Sequence, residues 1–402
     1  EATAPGDTRV WITGVGFSRD AAVAAPLPPA APTEASARRL HRATWVWHTA
    51  ELVADPAARD ELIAFLEGEG FDVVYLQLPD SSGGSRLPGE IVPDGAGLGP
   101  IVGALHAAGI QVWALDGYRE YVRPAYRAGV LRTIDHIARY NAASPPAERF
   151  DGFRHDIEPH VLPGFDGPRR DSLLTGYLEV TELSAARAHA AGLRYGIDIP
   201  FWYDAPGEDT QEPVLVTFHG KRRPVSEHLI EIADDIAIMD YRTAAAGADG
   251  TMRHAEGELA FAARLGRPVF IGLETAPLPD ETILEFDGAP ASGPAALDAP
   301  RGAIAIGPTG TDSIRIAFLP APLLAGDARR VLREVGIEPD RALWWPVRRV
   351  TEVSADRITF AGKDEAELLG VLEATTRGLA GAPALAGIAI HEARTWRALV
   401  RR

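Results

Sequence analysis

Apolar residues in this chain come in short runs separated by longer stretches of helical spacing, and the alternation persists from about residue 43 to the C-terminus. Short apolar runs bounded by Gly, Pro or Asp read as buried strands, and apolar positions at i, i+3 and i+4 read as one-sided helices. Strands are therefore predicted at 43–47 (ATWVW), 71–78 (FDVVYLQL), 110–115 (IQVWAL), 150–157, 194–200 (RYGIDIP), 235–241 (DIAIMDY), 268–273 (PVFIGL) and 385–390 (LAGIAI). Helices are predicted at 56–67, 98–108, 130–140, 170–191, 226–233, 252–265 and 364–378. Eight strand units, most of them followed by a helix, imply parallel pairing and closure into an α/β fold of the (β/α)8 barrel type. An open doubly wound sheet competes, but Gly14-Val15-Gly16 does not supply the GxGxxG turn that such a sheet uses after its first strand.

Two stretches break the rhythm. Residues 9–17 read as a short strand and 21–36 as an Ala/Pro linker, which makes 1–40 an N-terminal extension ahead of a barrel over 41–402. Between the seventh strand and the last helix, strand-like runs at 282–286, 313–318 and 357–360 flank a Gly-, Ala- and Pro-rich stretch, so a β-containing insertion is expected at about 276–356. Trp344 and Trp345 lie inside it, where a small satellite core explains them better than a sugar-stacking loop does.

Composition narrows the partners. Of the 402 residues 46% are hydrophobic, enough for a large core, and no apolar run reaches the roughly 18–20 residues of a membrane span, so no membrane insertion is expected. A formal charge of -16 argues against a nucleic-acid partner, which needs clustered Lys and Arg. The absence of cysteine excludes disulfides, thiolate metal sites and a cysteine nucleophile. The chain opens on Glu1-Ala2-Thr3-Ala4-Pro5-Gly6 rather than Met, like the mature end left by signal-peptide removal, and the expectation is a secreted or periplasmic protein.

The chemistry concentrates in Phe150 to His160 (FDGFRHDIEPH). Side chains alternate faces along a strand, so Arg154, Asp156 and Glu158 share one face and bring two carboxyls within reach of each other. Glycosidic cleavage needs such a pairing, because one carboxyl stays protonated to deliver a proton to the leaving oxygen while another group stabilises the positive charge on the ring. In barrels the chemistry sits at the C-terminal ends of the strands. Those ends carry Trp47, His48, Gln77, Asp116, Asp156, Glu158, Asp198, Trp202, Asp240, Tyr241, Arg242, Glu274, His391 and Glu392. Aromatic faces with hydrogen-bonding carboxylates make a carbohydrate groove, so a carbohydrate substrate is the expected partner. Trp47, His48, Gln77, Asp116, Arg154, Asp198, Trp202, Asp240, Arg242 and His391 are the candidate binding residues. Asp116 and Asp240 serve equally well as caps of the following helices. No HxH or HExxH pattern marks a metal site, and no cofactor is expected.

The segment Asp151-Gly152-Phe153-Arg154-His155-Asp156-Ile157-Glu158 resembles the DGhDhDhE strand (h, apolar) of glycoside hydrolase family 18, the chitinase-like barrels, and Met239-Asp240-Tyr241-Arg242 is similar to that family's M-x-Y-[DN]. The resemblance implies Glu158 as general acid, Asp156 orienting the substrate, Tyr241 hydrogen-bonding the reacting group, and the substrate's own acetamido group as nucleophile. Four positions depart from the pattern: Arg154 replaces an Asp, His155 replaces an apolar residue, Arg242 stands where Asp or Asn would, and Glu392 occupies the place of a tryptophan. Arg154 is expected to pair with Asp156. If the acetamido route is lost, Glu274 or Glu392 becomes the second carboxylate, at about 5 Å from Glu158 for retention or about 6.5–9.5 Å for inversion. A barrel that binds carbohydrate without cleaving it, and a metal-dependent deacetylase or amidohydrolase using His48, Asp156 and His391, are the competing readings.

Overall fold

Strands and helices alternate in a computed structural model of the chain as the apolar pattern requires; it describes residues 8–13 (backbone only), 39–79, 97–165, 167–204, 213–286, 288–294, 297–309 and 313–401. The 21–36 linker and the glycines at 83, 84 and 89 lie outside the described residues. Eight parallel strands close into a barrel: β1 (His41–Val46), β2 (Val73–Gln77), β3 (Gln111–Asp116), β4 (Gly152–Asp156), β5 (Arg194–Pro200), β6 (Asp235–Met239), β7 (Val269–Glu274) and β8 (Leu385–His391). They are paired in sequence order, with β8 returning to β1.

The helices start where the sequence offers caps. Asp55 accepts hydrogen bonds from the amides of Ala57 and Ala58 at the head of Pro56–Gly68, whose first residue is a proline that needs no donor partner. Asp364 and Glu367 form a reciprocal capping box at the start of Glu365–Gly378. The predicted helix at 252–265 is two, Thr251–His254 and Glu256–Leu265. A short hairpin, Leu215–Phe218 with Lys221–Pro224, lies between β5 and the next helix.

Strand alternation sorts the core into two layers. Outward-pointing residues such as Val74, Leu76, Val112, Phe153 and Ile197 pack against the helices in the large core. Inward-pointing Trp45, Tyr75, Trp113, Leu115 and Phe270 fill the barrel interior. Burying an aromatic side chain of this size stabilises the fold by about 1.5–3 kcal/mol. Four of the interior side chains are large aromatics, and one charged residue, Arg154, is sealed among them with no exposed surface. Gly196 makes room for it: a Cβ there would lie 3.0 Å from the Arg154 guanidinium.

The 279–355 segment forms a compact unit of its own together with strand Thr8–Thr13. Its antiparallel sheet runs in the order Thr8–Thr13, Glu281–Phe286, Leu343–Val353, Gly302–Pro308, Ile314–Pro320. Two short helices, Ala321–Gly326 and Ala328–Glu334, accompany it, and Trp344 is buried among Ala303, Ala305, Leu319, Leu332 and Ile337. Trp344 is thus core; Trp345, on the opposite face of its strand, is half-buried against Phe286. The strand-like run at 357–360 is instead a 3-10 turn, Ala355–Arg357, followed by a single bridge from Thr359 to Glu274. Among the described residues no helix is long and apolar enough to cross a membrane.

Candidate active site

Below the mouth of the barrel lies an ionic floor. Register places Asp156 of β4 directly beside Asp198 of β5. Arg154, two residues earlier and so one layer deeper, donates from Nη1 to Asp198 Oδ1 (2.5 Å) and to the Ile197 carbonyl (3.0 Å), and from Nη2 to Asp235. Its guanidinium lies 4.0 Å from the centre of the Tyr75 ring, and Trp45 donates its indole hydrogen to Asp198 Oδ2 at 3.0 Å. Burial raises the Asp198 carboxyl against the lowering effect of Arg154, and it pushes Asp235 up to about 6. Two expectations change here. Arg154 pairs with Asp198 and Asp235 rather than Asp156, and neither Arg154 nor Asp198 has any exposed surface with which to bind substrate. Asp235 lies level with Arg154 by strand register, and Asp198, beside Asp156 one layer higher, reaches the guanidinium by a direct hydrogen bond, so the buried cation is matched by two carboxylates.

Asp156 and Glu158 stand above this floor. Gly117 lies against the backbone of Asp156; a Cβ on it would be 1.9 Å from the Asp156 carbonyl oxygen, so any side chain would displace the acid. Asp156 Oδ1 is buried with no hydrogen-bond partner, and the group is raised well above the usual aspartate range by burial first, then by Glu158 and Asp198. Glu158, with 41% of its side chain exposed, is raised by burial and by Asp198, while His391 and Arg119 pull the other way. Burial and unbalanced negative charge both favour the protonated form. His160 Nε2 lies 3.6 Å from Glu158 Oε1, and desolvation lowers that imidazole to about 4. Trp202 meets His160 edge-on at 5.4 Å and Phe165 at 6.0 Å, forming an aromatic wall beside the acid. Tyr241 is raised by burial and then by the negative charges of Glu274, Asp156, Asp198 and Glu158.

Across the mouth, β7 and β8 bring Glu274 and His391 side by side. Glu274 is 3% exposed and takes hydrogen bonds from His391 Nδ1 (2.8 Å) and the Ala276 amide (2.6 Å). Trp47 donates its indole hydrogen to the other imidazole nitrogen, Nε2, at 2.9 Å. Glu392 is a helix cap: its carboxylate accepts from the amides of Arg394 (3.2 Å) and Thr395 (2.9 Å) at the start of Ala393–Val400. Both candidates for a second carboxylate are thus engaged by backbone amides, Glu274 by His391 as well.

The remaining candidates divide. Gln77 accepts from the His48 amide (2.9 Å), which holds His48 in its left-handed conformation (φ 60°) at the rim with an exposed ring. Asp116 is 2% exposed and bonds the Tyr121 hydroxyl and the Gly117 amide, so it shapes the loop rather than meeting a ligand. Asp240 is fully buried against His254 Nδ1 (2.8 Å), which corrects its placement as a binding residue. Arg242 is likewise drawn away, held by Asp249 (2.7 Å) and packed 4.6 Å from the Phe201 ring centre. Strand-end position brought each of these near the mouth, and a nearby counter-charge or amide then took it up.

Sequence reasoning missed Asp235, Trp45 and His160 as parts of the site. Asp235 and Trp45 lie at interior-facing positions, and strand parity alone marks them once the barrel register is known. Among the described residues no three His, Asp or Glu side chains cluster in a way that would hold a metal ion. His48, Asp156 and His391 are not gathered into one set, and His391 has both nitrogens engaged.

No family model and no curated protein matches the chain. Among solved structures the chain is similar to the C-terminal domain of a putative chitinase from Desulfitobacterium hafniense DCB-2, at 11% identity and TM-score 0.45 over 89% of this chain and 95% of that one. It is also similar to the Ostrinia furnacalis Group IV chitinase, at 11% identity and TM-score 0.45, covering 90% of this chain and 100% of that one. A third is the Bacillus cereus spore cortex-lytic enzyme SleL, at 8% identity and TM-score 0.42, covering 91% and 75%.

Proposed function

We propose that this protein is a glycoside hydrolase that cleaves polymers of 2-acetamido sugars, with Glu158 as general acid and the substrate's own acetamido oxygen as nucleophile. One observation carries the reading. Of the acids gathered at the strand ends, Asp198, Glu274, Glu392, Asp116 and Asp240 are each engaged by a hydrogen-bond partner, which among them leaves Asp156 and Glu158, with Tyr241, as the groups we assign to meet a substrate. We read the second of these acids, Asp156, as orienting the acetamido group rather than attacking, which makes the substrate's own carbonyl oxygen the nucleophile.

In this mechanism Glu158 gives its proton to the glycosidic oxygen as the C1–O bond breaks, and the acetamido carbonyl oxygen closes onto C1. Asp156 holds the amide N–H and stabilises the charge that appears on the ring. The Tyr241 hydroxyl supports the acetamido group. Water then attacks C1, Glu158 takes its proton, and configuration is retained. The upward shift of Glu158 widens the pH range over which it carries the proton to be delivered, and activity is expected to fall as that proton is lost with rising pH. On this reading the chemistry belongs to the barrel within 41–402, the segment at about 276–356 is accessory, and a secreted or periplasmic location suits a polymeric substrate.

The test compares wild type and Glu158→Gln on matched oligomers of N-acetylglucosamine and of glucose, following reducing ends and the anomer first released. Cleavage of the acetylated series alone, with retention and a loss of about 10²- to 10⁴-fold in the variant, supports the reading. Equal cleavage of both series, or inversion, rules out the acetamido nucleophile. Binding of either series without cleavage leaves a carbohydrate-binding barrel.

A further inference from the structure

A second pair of carboxyls stands apart from the groups assigned to the chemistry. Glu258, in helix Glu256–Leu265, is 1% exposed, and neither of its carboxyl oxygens receives a hydrogen from any donor. Asp204, which follows the Phe201–Tyr203 turn, presses its carboxyl against the same helix: a Cβ on Gly257 would collide with Asp204 Oδ2, and Oδ1 is buried without a donor as well. The two side chains are hydrogen-bonding neighbours. The charged groups facing Asp204 are Glu227 of helix Val225–Ile232 and Arg253, and the one facing Glu258 is Asp240, itself bonded to His254.

Two ionised carboxylates have no hydrogen between them, so each would be left with buried, bare oxygens and a like charge beside it. A single proton relieves both problems, because the protonated carboxyl becomes a donor to its neighbour. Depth decides which of the two carries it. Glu258 is the more deeply buried and is raised well above the usual glutamate range by burial and then by Asp204. Asp204 is pushed up to about 6 by burial, against the hydrogen that Glu258 offers it. Asp204 also faces Gly257 in the first turn of the helix, where the aligned peptide dipoles favour a negative charge.

We propose that Glu258 and Asp204 share one proton, with Glu258 donating to Asp204, and that this bond is a pH-sensitive latch fastening the Phe201–Tyr203 turn to helix Glu256–Leu265. The turn carries Trp202, part of the wall beside Glu158, and Phe201, which stacks on His254 at 4.1 Å between ring centres. Losing the proton puts two buried carboxylates face to face, so the latch opens as pH rises. The carboxyls of the unfolded chain release their protons at about pH 4, whereas the folded pair keeps one to higher pH. Its contribution to stability is therefore full below that range and is lost with rising pH, by up to about tenfold in the folding constant per pH unit. The latch does not depend on the glycosidase reading.

Infrared spectra of the full chain test the shared proton. A protonated carboxyl has a carbonyl stretch distinct from that of a carboxylate or a backbone amide, and wild type at pH 7 is expected to show one such band that Glu258→Gln lacks. In Asp204→Asn the band is expected to vanish at a lower pH than in wild type, because the charge that holds the proton is gone. No band lost in Glu258→Gln overturns the proposal. A band that titrates identically in Asp204→Asn overturns the sharing and leaves Glu258 protonated by burial alone. Urea unfolding between pH 5 and 8 reads the latch. Glutamine at position 258 keeps a donor toward Asp204 with no proton to lose, so Glu258→Gln is expected to lose stability less steeply with pH and to exceed wild type at pH 8. The margin is up to about tenfold in the folding constant for each pH unit over which wild type holds its extra proton. Equal slopes, or a variant weaker than wild type across the whole range, overturn the latch. Hydrogen exchange at pH 8 locates the effect: amides of the Phe201–Tyr203 turn are expected to exchange faster in wild type than in Glu258→Gln, and equal exchange there overturns the assignment to that turn.

Discussion

Arg154 and Glu158 lie on the same face of one segment, four residues apart, and their fates differ. Arg154 has no exposed surface and is bound to Asp198 and Asp235, whereas Glu158 keeps 41% of its side chain open and has no buried cation bound to it. Depth accounts for the contrast. A charge at the level of the barrel interior has to be neutralised by its neighbours, so Arg154 becomes part of the scaffold. One layer higher at Asp156 and two at Glu158, burial and the surrounding negative charge raise both carboxyls. Arg154 is shared between Asp198 and Asp235, with Arg194 3.8 Å from Asp235 as well, and the negative charge of Asp198 raises the acids above the floor.

The sharpest way to break this comparison is to remove one member of each layer. Glu158→Gln is expected to lose about 10²- to 10⁴-fold in activity with an unchanged unfolding midpoint. Arg154→Met is expected to lose about 3–5 kcal/mol in urea unfolding, because it leaves Asp198 buried without its cation and Asp235 with only the more distant Arg194. If Arg154→Met folds as stably as wild type while losing only activity, the division between scaffold and site is wrong.

A smaller effect concerns acids that are buried but lie away from the floor. Asp240 is pushed up to about 6 by burial, against an ordinary aspartate value near 3.9 in the unfolded chain. The folded state therefore holds more protons, and the contribution of this group is full below about pH 4 and lost as pH rises through about 6. Asp240→Asn keeps an acceptor for His254 and is expected to remove on the order of 2 kcal/mol of that loss, seen as a flatter dependence of unfolding free energy on pH between 4 and 6. A pH dependence identical to wild type would show that Asp240 is already compensated in the fold.

Smallest is the helix cap. Glu392→Ala is expected to cost about 1 kcal/mol of stability, the usual worth of an N-cap, and to leave the catalytic rate essentially intact. A loss of activity on the scale of Glu158→Gln would return Glu392 to the mechanism.

The barrel was legible because its eight strands are short apolar runs between capped helices, and the Asp55 and Asp364 caps stand where the helical pattern begins. Strands Gly302–Pro308 and Leu343–Val353 were not, since Gly, Ala and Pro dilute the first and its surroundings, while the second alternates with arginines and carries a proline. In the site, period-two alternation was enough to put Asp156 and Glu158 on one face. It did not separate Glu158 from Glu274 and Glu392, because all three end or follow an apolar strand.

What the sequence alone determined was therefore the set of barrel strands, their parity and the placing of Asp156 and Glu158 on one face, all of which depend on residues near one another in the chain. The tertiary structure alone decided which charges stay free. Arg154 is matched by Asp198 and Asp235, 44 and 81 residues away, and Glu274 is bound by His391 at a separation of 117. Those partners are chosen by barrel closure and strand register, and a buried charge takes whatever counter-charge that closure brings to its depth.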